Sequence, residues 1–250
     1  MSGTLSRRAV ASAFARSFLI QGSWNYHTMM GSGFAFAMLP GLRSLFGEDP
    51  ASMDASVRRH LEHFNAHPYL STVALGAALR LEADGADPET VRRFKIAVRG
   101  PLGSLGDSLV WATWLPAVSV AALALYWFGL PSWLVVAFFL VVYNTGHLAL
   151  RAWGFRAGLR EGRDVGRSLA QADIAGWTSR LKGVAVGLLG VLAGAVLGGP
   201  DGLVDSGVMW GVLGVAAFLA GLFVGHRAWR AAAMAVVAVI AIVSTVGALR

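Results

Sequence analysis

The chain has 250 residues, 56% of them hydrophobic and 14% charged, with a mean hydropathy of +0.59. That is too apolar for a soluble domain of this length, so the composition points to an integral membrane protein. The net charge of +7 raises nucleic acid as a partner. The basic residues flank apolar spans, however, where the positive-inside rule accounts for them, and nucleic acid is excluded. Cysteine is absent, which removes disulfides and cysteine-ligated metals.

Residues 1–17 read as a short basic arm on the cytoplasmic side. Arg7, Arg8 and Arg16 interrupt the first apolar residues, so no cleavable signal peptide is expected. From Phe18 to Leu42 the chain is apolar but broken by Gly22, Gly31, Gly33 and Pro40, with Gln21, Ser23, Asn25, His27 and Thr28 inside it. Arg16 and Arg43 flank it with the same sign, which fits a segment that enters and returns or lies in the interface. Such backbone at membrane depth belongs against protein or a water-filled cavity, so this stretch is a candidate for lining a pathway.

Asp49-Pro50 and Asp87-Pro88 are helix starts, each an N-cap followed by proline at the first helical position. After the first, Met53, Val57, Leu61 and Phe64 recur at helical spacing, which predicts an amphipathic helix with Arg58, Arg59, Glu62 and His63 on its surface. Leu70 to Leu81 is apolar but about 12 residues long, short of the roughly 20 needed to cross hydrocarbon. After the second start, Val91, Phe94 and Val98 form an apolar stripe beside Arg92, Arg93, Lys95 and Arg99, a basic set expected to face the cytoplasm.

Gly100 to Leu150 contains no Lys or Arg and one acid, Asp107. Gly100, Pro101, Gly103 and Gly106 predict a broken segment that becomes helical only after Gly106, because each glycine costs roughly 1 kcal/mol in a helix and proline more. Asp107 would then stand near a helix start, with Trp111 and Trp114 on its face at i+4 and i+7, a plausible sugar platform. A helix cap and membrane-belt tryptophans account for the same residues.

Leu109–Phe128 and Ser132–Leu150 read as two spans joined by an outward turn at Gly129-Leu130-Pro131. Arg151, Arg156, Arg160, Arg163 and Arg167 bring the chain back to the cytoplasm. Arg160, Arg163 and Arg167 fit one helix face, either a docking stripe for an acidic partner or a set of anchors to lipid phosphates. Three further apolar stretches follow, Gly183–Leu197, Gly207–Gly225 and Ala228–Leu249, with Gly183, Gly187, Gly190 and Gly194 along one face for close packing. Asp201 and Asp205 mark an outer link, His226, Arg227 and Arg230 an inner one, which puts Arg250 outside.

The expected fold is therefore an all-α integral membrane protein, with transmembrane helices, broken re-entrant hairpins and amphipathic helices on the cytoplasmic side. The whole chain reads as one membrane domain. It divides into the arm 1–17, re-entrant and amphipathic helices 18–108, a helical hairpin 109–150, cytoplasmic basic helices 151–182 and C-terminal spans 183–250. Six histidines offer no metal set, although His63 and His67 stand at i, i+4, because Pro68 follows directly and carboxylate support is missing. No cofactor and no catalytic template is expected.

Four stretches, FLIQGSWNYHTMMGSGFAFAMLPGLR (Phe18 to Arg43), VRRHLEHFNAHPY (Val57 to Tyr69), RGPLGSLGDSLVWATWLP (Arg99 to Pro116) and YNTGHLALRAWGFRAGLREG (Tyr143 to Gly162), together resemble one family. It is the IID component of the mannose/fructose/sorbose family of bacterial sugar phosphotransferase systems. The resemblance implies an inner-membrane subunit that pairs with a IIC subunit to carry a hexose inward, while cytoplasmic IIB and IIA subunits deliver phosphate. It implies assembly into trimers of IIC–IID pairs, with phosphoryl transfer on the partners. The family's acid-base pair after Trp-Asn, as in WNFER, is replaced here by His27 and Thr28, whereas Gly106-Asp107-Ser108 is kept. Asn25, His27, Asn65, Asp107 and Trp111 are the candidate sugar-path residues, and Arg160, Arg163 and Arg167 the candidate docking residues. A transport-inactive sensory or scaffolding subunit of such a system is the alternative.

Overall fold

A computed structural model describes residues 4–197. All regular structure in that range is helical, apart from isolated backbone bridges. The helices are α1 (Arg7–Arg16), α2 (Gly31–Phe46), α3 (Pro50–Leu61), α4 (Ser71–Ala83), α5 (Pro88–Gly106), α6 (Leu115–Trp127), α7 (Ser132–Glu161), α8 (Gly166–Gln171) and α9 (Ile174–Leu197). A π-helical stretch, Asp107–Trp114, joins α5 to α6, so the helix is continuous from 88 to 127. The expected outer and inner links and the spans Gly207–Gly225 and Ala228–Leu249 lie outside the described residues.

The chain forms two compact units. The first comprises Met1–Ser108 and Thr145–Ile174, the second Leu109–Asn144 and Ala175–Arg250.

In the first unit the two aspartate-proline starts cap as the sequence predicts. Asp49 Oδ1 accepts from the amides of Ala51 and Ser52, both at 3.1 Å, and Asp87 Oδ1 from those of Glu89 and Thr90 at 3.1 and 3.0 Å. Helix α4 is the centre of this unit, with Ser71 through Leu79 all buried. It is too short to span a bilayer and is wrapped by protein instead. Its packing on α7 depends on missing side chains. A Cβ on Gly76 would run into the Phe155 carbonyl, and one on Gly158 into the Val73 carbonyl. Backbone therefore meets backbone at this crossing, a closeness that small residues permit in membrane helices.

Helix α3 departs in part from its predicted sidedness: Arg58, Glu62 and His63 are exposed and Phe64 is buried as expected, but a polar set on the helix turns inward. Ser56, Arg59 and His60 are its buried residues, while Leu61 is 40% exposed and Met53 and Val57 are only half-buried. Arg59, expected on the surface, lies in the core because Glu82 of α4 is waiting there. Its Nε and Nη2 reach the Glu82 carboxylate at 2.8 to 3.1 Å, and Nη2 also donates to Ser56 Oγ at 2.7 Å. His60 Nε2 stands 2.8 Å from Glu82 Oε1. An ionised carboxylate only accepts, so Nε2 carries the proton. Lys95 of α5 is likewise 3% exposed, not part of a cytoplasmic surface, and donates to the Arg59 carbonyl at 2.7 Å. It sits 5.3 Å from the centroid of the Phe34 ring.

His60 and Glu82 lie outside the long apolar helices. Burial pulls His60 down to about 4, against the hydrogen bond to Glu82 that would raise it, so the ring is neutral at pH 7. For Glu82 burial acts upward, but the hydrogen bonds from His60 and Arg59 outweigh it and hold the carboxyl below its ordinary range.

The second unit contains the hairpin 109–144. Helix α6 ends where Phe128 and Leu130 amides return to the carbonyls of Ala124 and Leu125, at 2.9 and 3.0 Å. Gly129 turns the chain at φ +88°, a conformation that favours glycine. Tyr126, Trp127, Phe128 and Trp133 are all exposed around this turn. Aromatic rings at a hairpin tip suit the headgroup level of a bilayer. Among the described residues, two helical runs, Pro88–Trp127 and Ser132–Gly194, are long and apolar enough to cross one.

Candidate functional site

Two loops and one glycine edge converge in the first unit. Loop 20–30 is built by Asn25, whose Oδ1 accepts from the amides of His27 and Thr28 at 3.0 and 2.9 Å. Its Nδ2 donates to Thr28 Oγ1 at 3.0 Å. The backbones of Asn25 and Met29 pair in both directions, at 2.8 and 3.2 Å, with Met29 at φ +54°. Asn25 thus folds the loop through its side chain, as asparagine does in turns. Exposed Trp24 and Tyr26 flank it, their rings edge to face at 4.9 Å. His27 is exposed at the same tip.

Loop 62–70 docks on this one through Phe64. Its amide donates to the Thr28 carbonyl at 3.2 Å and its carbonyl accepts from Met30 at 2.9 Å, while the ring is fully buried 4.6 Å from Phe34. Gly31 makes the approach possible, since a Cβ there would lie 2.6 Å from the Leu61 carbonyl. Asn65, next to this anchor, is exposed.

The glycine edge belongs to α5. Gly100, Pro101, Gly103 and Gly106 do not break the helix as expected; all four lie within it. The reason at Gly103 and Gly106 is what faces them. A Cβ on Gly106 would collide with the His67 ring and its Cβ, and one on Gly103 would touch the Ala66 Cα at 3.8 Å. Packing of loop 62–70 against this bare edge offsets the helix cost, and Leu102 beside it is fully buried. His67 is 1% exposed, and its Nδ1 accepts from the Tyr69 amide at 3.2 Å. Burial, and after it the charge of Arg151, lowers it to about 4, so the ring is neutral.

Asp107 follows immediately, exposed, at the change from α-helix to π-helix and not at a helix start. The wider i→i+5 turns of that stretch carry Trp114 off the face that an α-helix would give it. Trp111, 44% exposed, belongs to the second unit. The structure therefore gathers the elements bearing Asn25, His27, Asn65 and Asp107 in one unit and leaves Trp111 in the other.

The arginine stripe also differs from its prediction. Arg160 is in the last turn of α7, Arg163 lies in the 3₁₀ turn Gly162–Val165, and Arg167 is in α8. Gly162 at φ +57° breaks the helix between them, so no single helix face carries all three. Arg160 pairs with Glu161 at 2.6 Å, and Ser168 donates to the same carboxylate at 2.6 Å. Arg163 and Arg167 are exposed.

Sequence reasoning passed over Ser56, Glu82 and the buried roles of Arg59, His60 and Lys95. A signal existed: Ser56, Arg59 and His60 stand at i, i+3 and i+4, a polar stripe at helical period, and Glu82 ends an apolar helix. Among the described residues no group of three or more His, Asp or Glu side chains could hold a metal ion.

The family described as the PTS system mannose/fructose/sorbose family IID component matches residues 4–199. The chain is 34% identical over 166 residues to the mannose-specific EIID component of Escherichia coli K12, covering 64% of this chain and 58% of that one. It is 28% identical over 171 residues to the fructose permease IID component of Bacillus subtilis 168, covering 66% and 61%. It is 32% identical over 173 residues to the sorbose-specific EIID component of Klebsiella pneumoniae, covering 65% and 61%. The chain thus spans about three fifths of the length of these relatives. A solved structure described only as a membrane protein matches with a TM-score of 0.66 and 32% identity, over 75% of this chain and 70% of that one. The fold is also that of a chain in the mannose transporter ManYZ bound to microcin E492, with a TM-score of 0.60 at 24% identity over 99% and 97%. Matched along most of its length, the chain belongs to the mannose/fructose/sorbose family of phosphotransferase-system IID components, and it is an all-α membrane protein.

Proposed function

We propose that this chain is the IID subunit that, with a IIC subunit, forms the path of a mannose-class hexose across the bacterial inner membrane, in a phosphoenolpyruvate-dependent phosphotransferase system. The observation that carries the reading is the joining of loops 20–30 and 62–70 beside the glycine edge of α5. Three separate stretches of sequence present Asn25, His27, Asn65 and Asp107 from one unit, where amide, imidazole and carboxylate can meet sugar hydroxyls. Trp111 lies in the second unit and is a candidate from the sequence alone. The likeness to a chain of the mannose transporter ManYZ and the sugar-specific names of the relatives favour this reading.

Transfer of phosphate falls to the cytoplasmic IIB and IIA subunits, and Arg163 and Arg167, with Arg160 beside them, offer positive charge for docking them. The N-terminus is cytoplasmic and the C-terminus periplasmic in this reading, and IIC–IID pairs assemble as trimers. The test is uptake of labelled hexoses by cells that express this chain with its IIC partner and the phosphocarriers. Saturable uptake that Asp107→Asn reduces, with assembly intact, supports the path; uptake by the IIC partner alone at the same rate overturns it.

A further inference from the structure

Arg151 is the first charged residue after the apolar run of α7, yet it is 4% exposed. Among the described residues it has no carboxylate partner. Its positive charge is met in another way. Nη1 donates to the Ser17 carbonyl at 3.0 Å. Ser17 is the C-cap of α1, and carbonyls at a helix C-terminus carry partial negative charge. The guanidinium carbon also lies 4.8 Å from the centroid of the Phe18 ring and 5.0 Å from that of Tyr69. Tyr69 in turn stacks on His147 at 4.2 Å. Thr72 Oγ1 closes the set by donating to the Arg151 carbonyl at 3.1 Å.

The partners matter because of where they lead. Ser17 and Phe18 are the root of loop 20–30, and Tyr69 is the exit of loop 62–70. The two loops already pair through Phe64. Arg151 is therefore a point at which the paired loops are fastened to α7, one turn from His147, whose ring also meets those of Phe18 and Tyr69. A planar guanidinium can stack against rings while donating in its plane, which the point charge of lysine does not reproduce.

We propose that Arg151 is a positioning residue that sets the paired site loops on α7, and through them the placement of Asn25 and Asn65 for substrate. This rests in part on the transport reading above, so the test has one arm that does not. The chain has no cysteine, and Leu19 and Leu148 are exposed at 60% and 46%. Nitroxide labels on Leu19→Cys and Leu148→Cys in the full chain, purified with its IIC partner in lipid nanodiscs, report the spacing of loop root and α7. A narrow distance distribution is expected with Arg151, a broad or displaced one with Arg151→Gln, and an intermediate one with Arg151→Lys. An unchanged distribution in Arg151→Gln overturns the proposal whatever happens to transport. Should Arg151→Gln fail to insert, Arg151→Lys carries the test, and a distribution identical to the parent's overturns it.

The second arm is hexose uptake. Arg151→Gln is expected to raise the half-saturating concentration about tenfold, the scale of a lost desolvated cation–π contact, with the yield of the complex unchanged. Unchanged half-saturation in a correctly assembled complex counts against the proposal. Absence of uptake by the parent complex sinks the transport reading alone, and the distance arm still decides the role of Arg151.

Discussion

The two units solve the problem of an apolar sequence in opposite ways. Residues 109–144 carry no Asp, Glu, Lys, Arg or His, and their rings and aliphatic chains point outward around the turn at Gly129. The first unit places Arg59, Glu82, His60 and Lys95 inside, and leaves Leu61 and Ile96 exposed. In a bilayer the solvent is as apolar as a core, so hydrophobicity does not say which side is interior. What marks an interior is a polar group with its partners fixed in place.

The sharpest way to break this contrast is Glu82→Gln, which leaves Arg59 buried beside a neutral group. Removing one partner of a buried ion pair costs about 3–5 kcal/mol, so a large fall in melting temperature of the detergent-solubilised chain is expected. The exposed Arg58–Asp54 pair, at 2.7 Å, is the control, and Asp54→Asn should leave the melt unchanged. An equal effect from both would end the distinction between interior and surface ions.

Acidification separates the units next. His60 is held at about 4 against an ordinary 6.5, so in that window the unfolded chain takes up a proton that the folded chain refuses. Glu82, lowered from 4.5, likewise loses its stabilising charge as the pH falls. Both signs agree: the melting temperature of the first unit drops as pH is lowered from about 6.5 toward about 4. The hairpin has no Asp, Glu or His to titrate in that window, and tryptophan emission from Trp133 should not follow that profile. His60→Gln should flatten the upper part of the drop.

Two glycines of α5 give a finer comparison. Gly106→Ala forces a methyl into His67 and is expected to destabilise by about 1–3 kcal/mol, as overpacking does. Gly100→Ala meets nothing within 4 Å and should stabilise by roughly 0.5–1 kcal/mol through helix propensity. Thermal melts of the two variants moving in the same direction would refute the close approach of loop 62–70. The smallest effect is expected at the hairpin tip, where Trp133→Ala, 70% exposed, should leave the detergent melt unchanged and only weaken anchoring in vesicles.

The sequence was legible where the deciding physics is local. Asp49-Pro50 and Asp87-Pro88 start helices because cap and proline act within three residues, and the hairpin declares itself by its length and its glycine turn. The side chain of Asn25 shapes its own loop, so its place in a broken stretch was readable too, but Gly31, Gly33 and Pro40, read as further breaks, lie within α2. The full sidedness of α3 was not readable, because its burial depends on Glu82, which lies 23 residues beyond Arg59. The glycines of α5 carried a local cost in plain view, but the compensating contact with His67 exists only after folding. Arg160, Arg163 and Arg167 were spaced as a helix face, and one left-handed glycine at 162 separated them.

The bond between Arg59 and Glu82 also matters during synthesis. Helix α3 leaves the ribosome with a guanidinium that no residue yet made can neutralise in place, and α4 arrives later with the carboxylate. Neither can settle alone into a nonpolar setting at low cost. Burial of α3 and burial of α4 are therefore coupled, because each supplies the charge that the other needs in the interior.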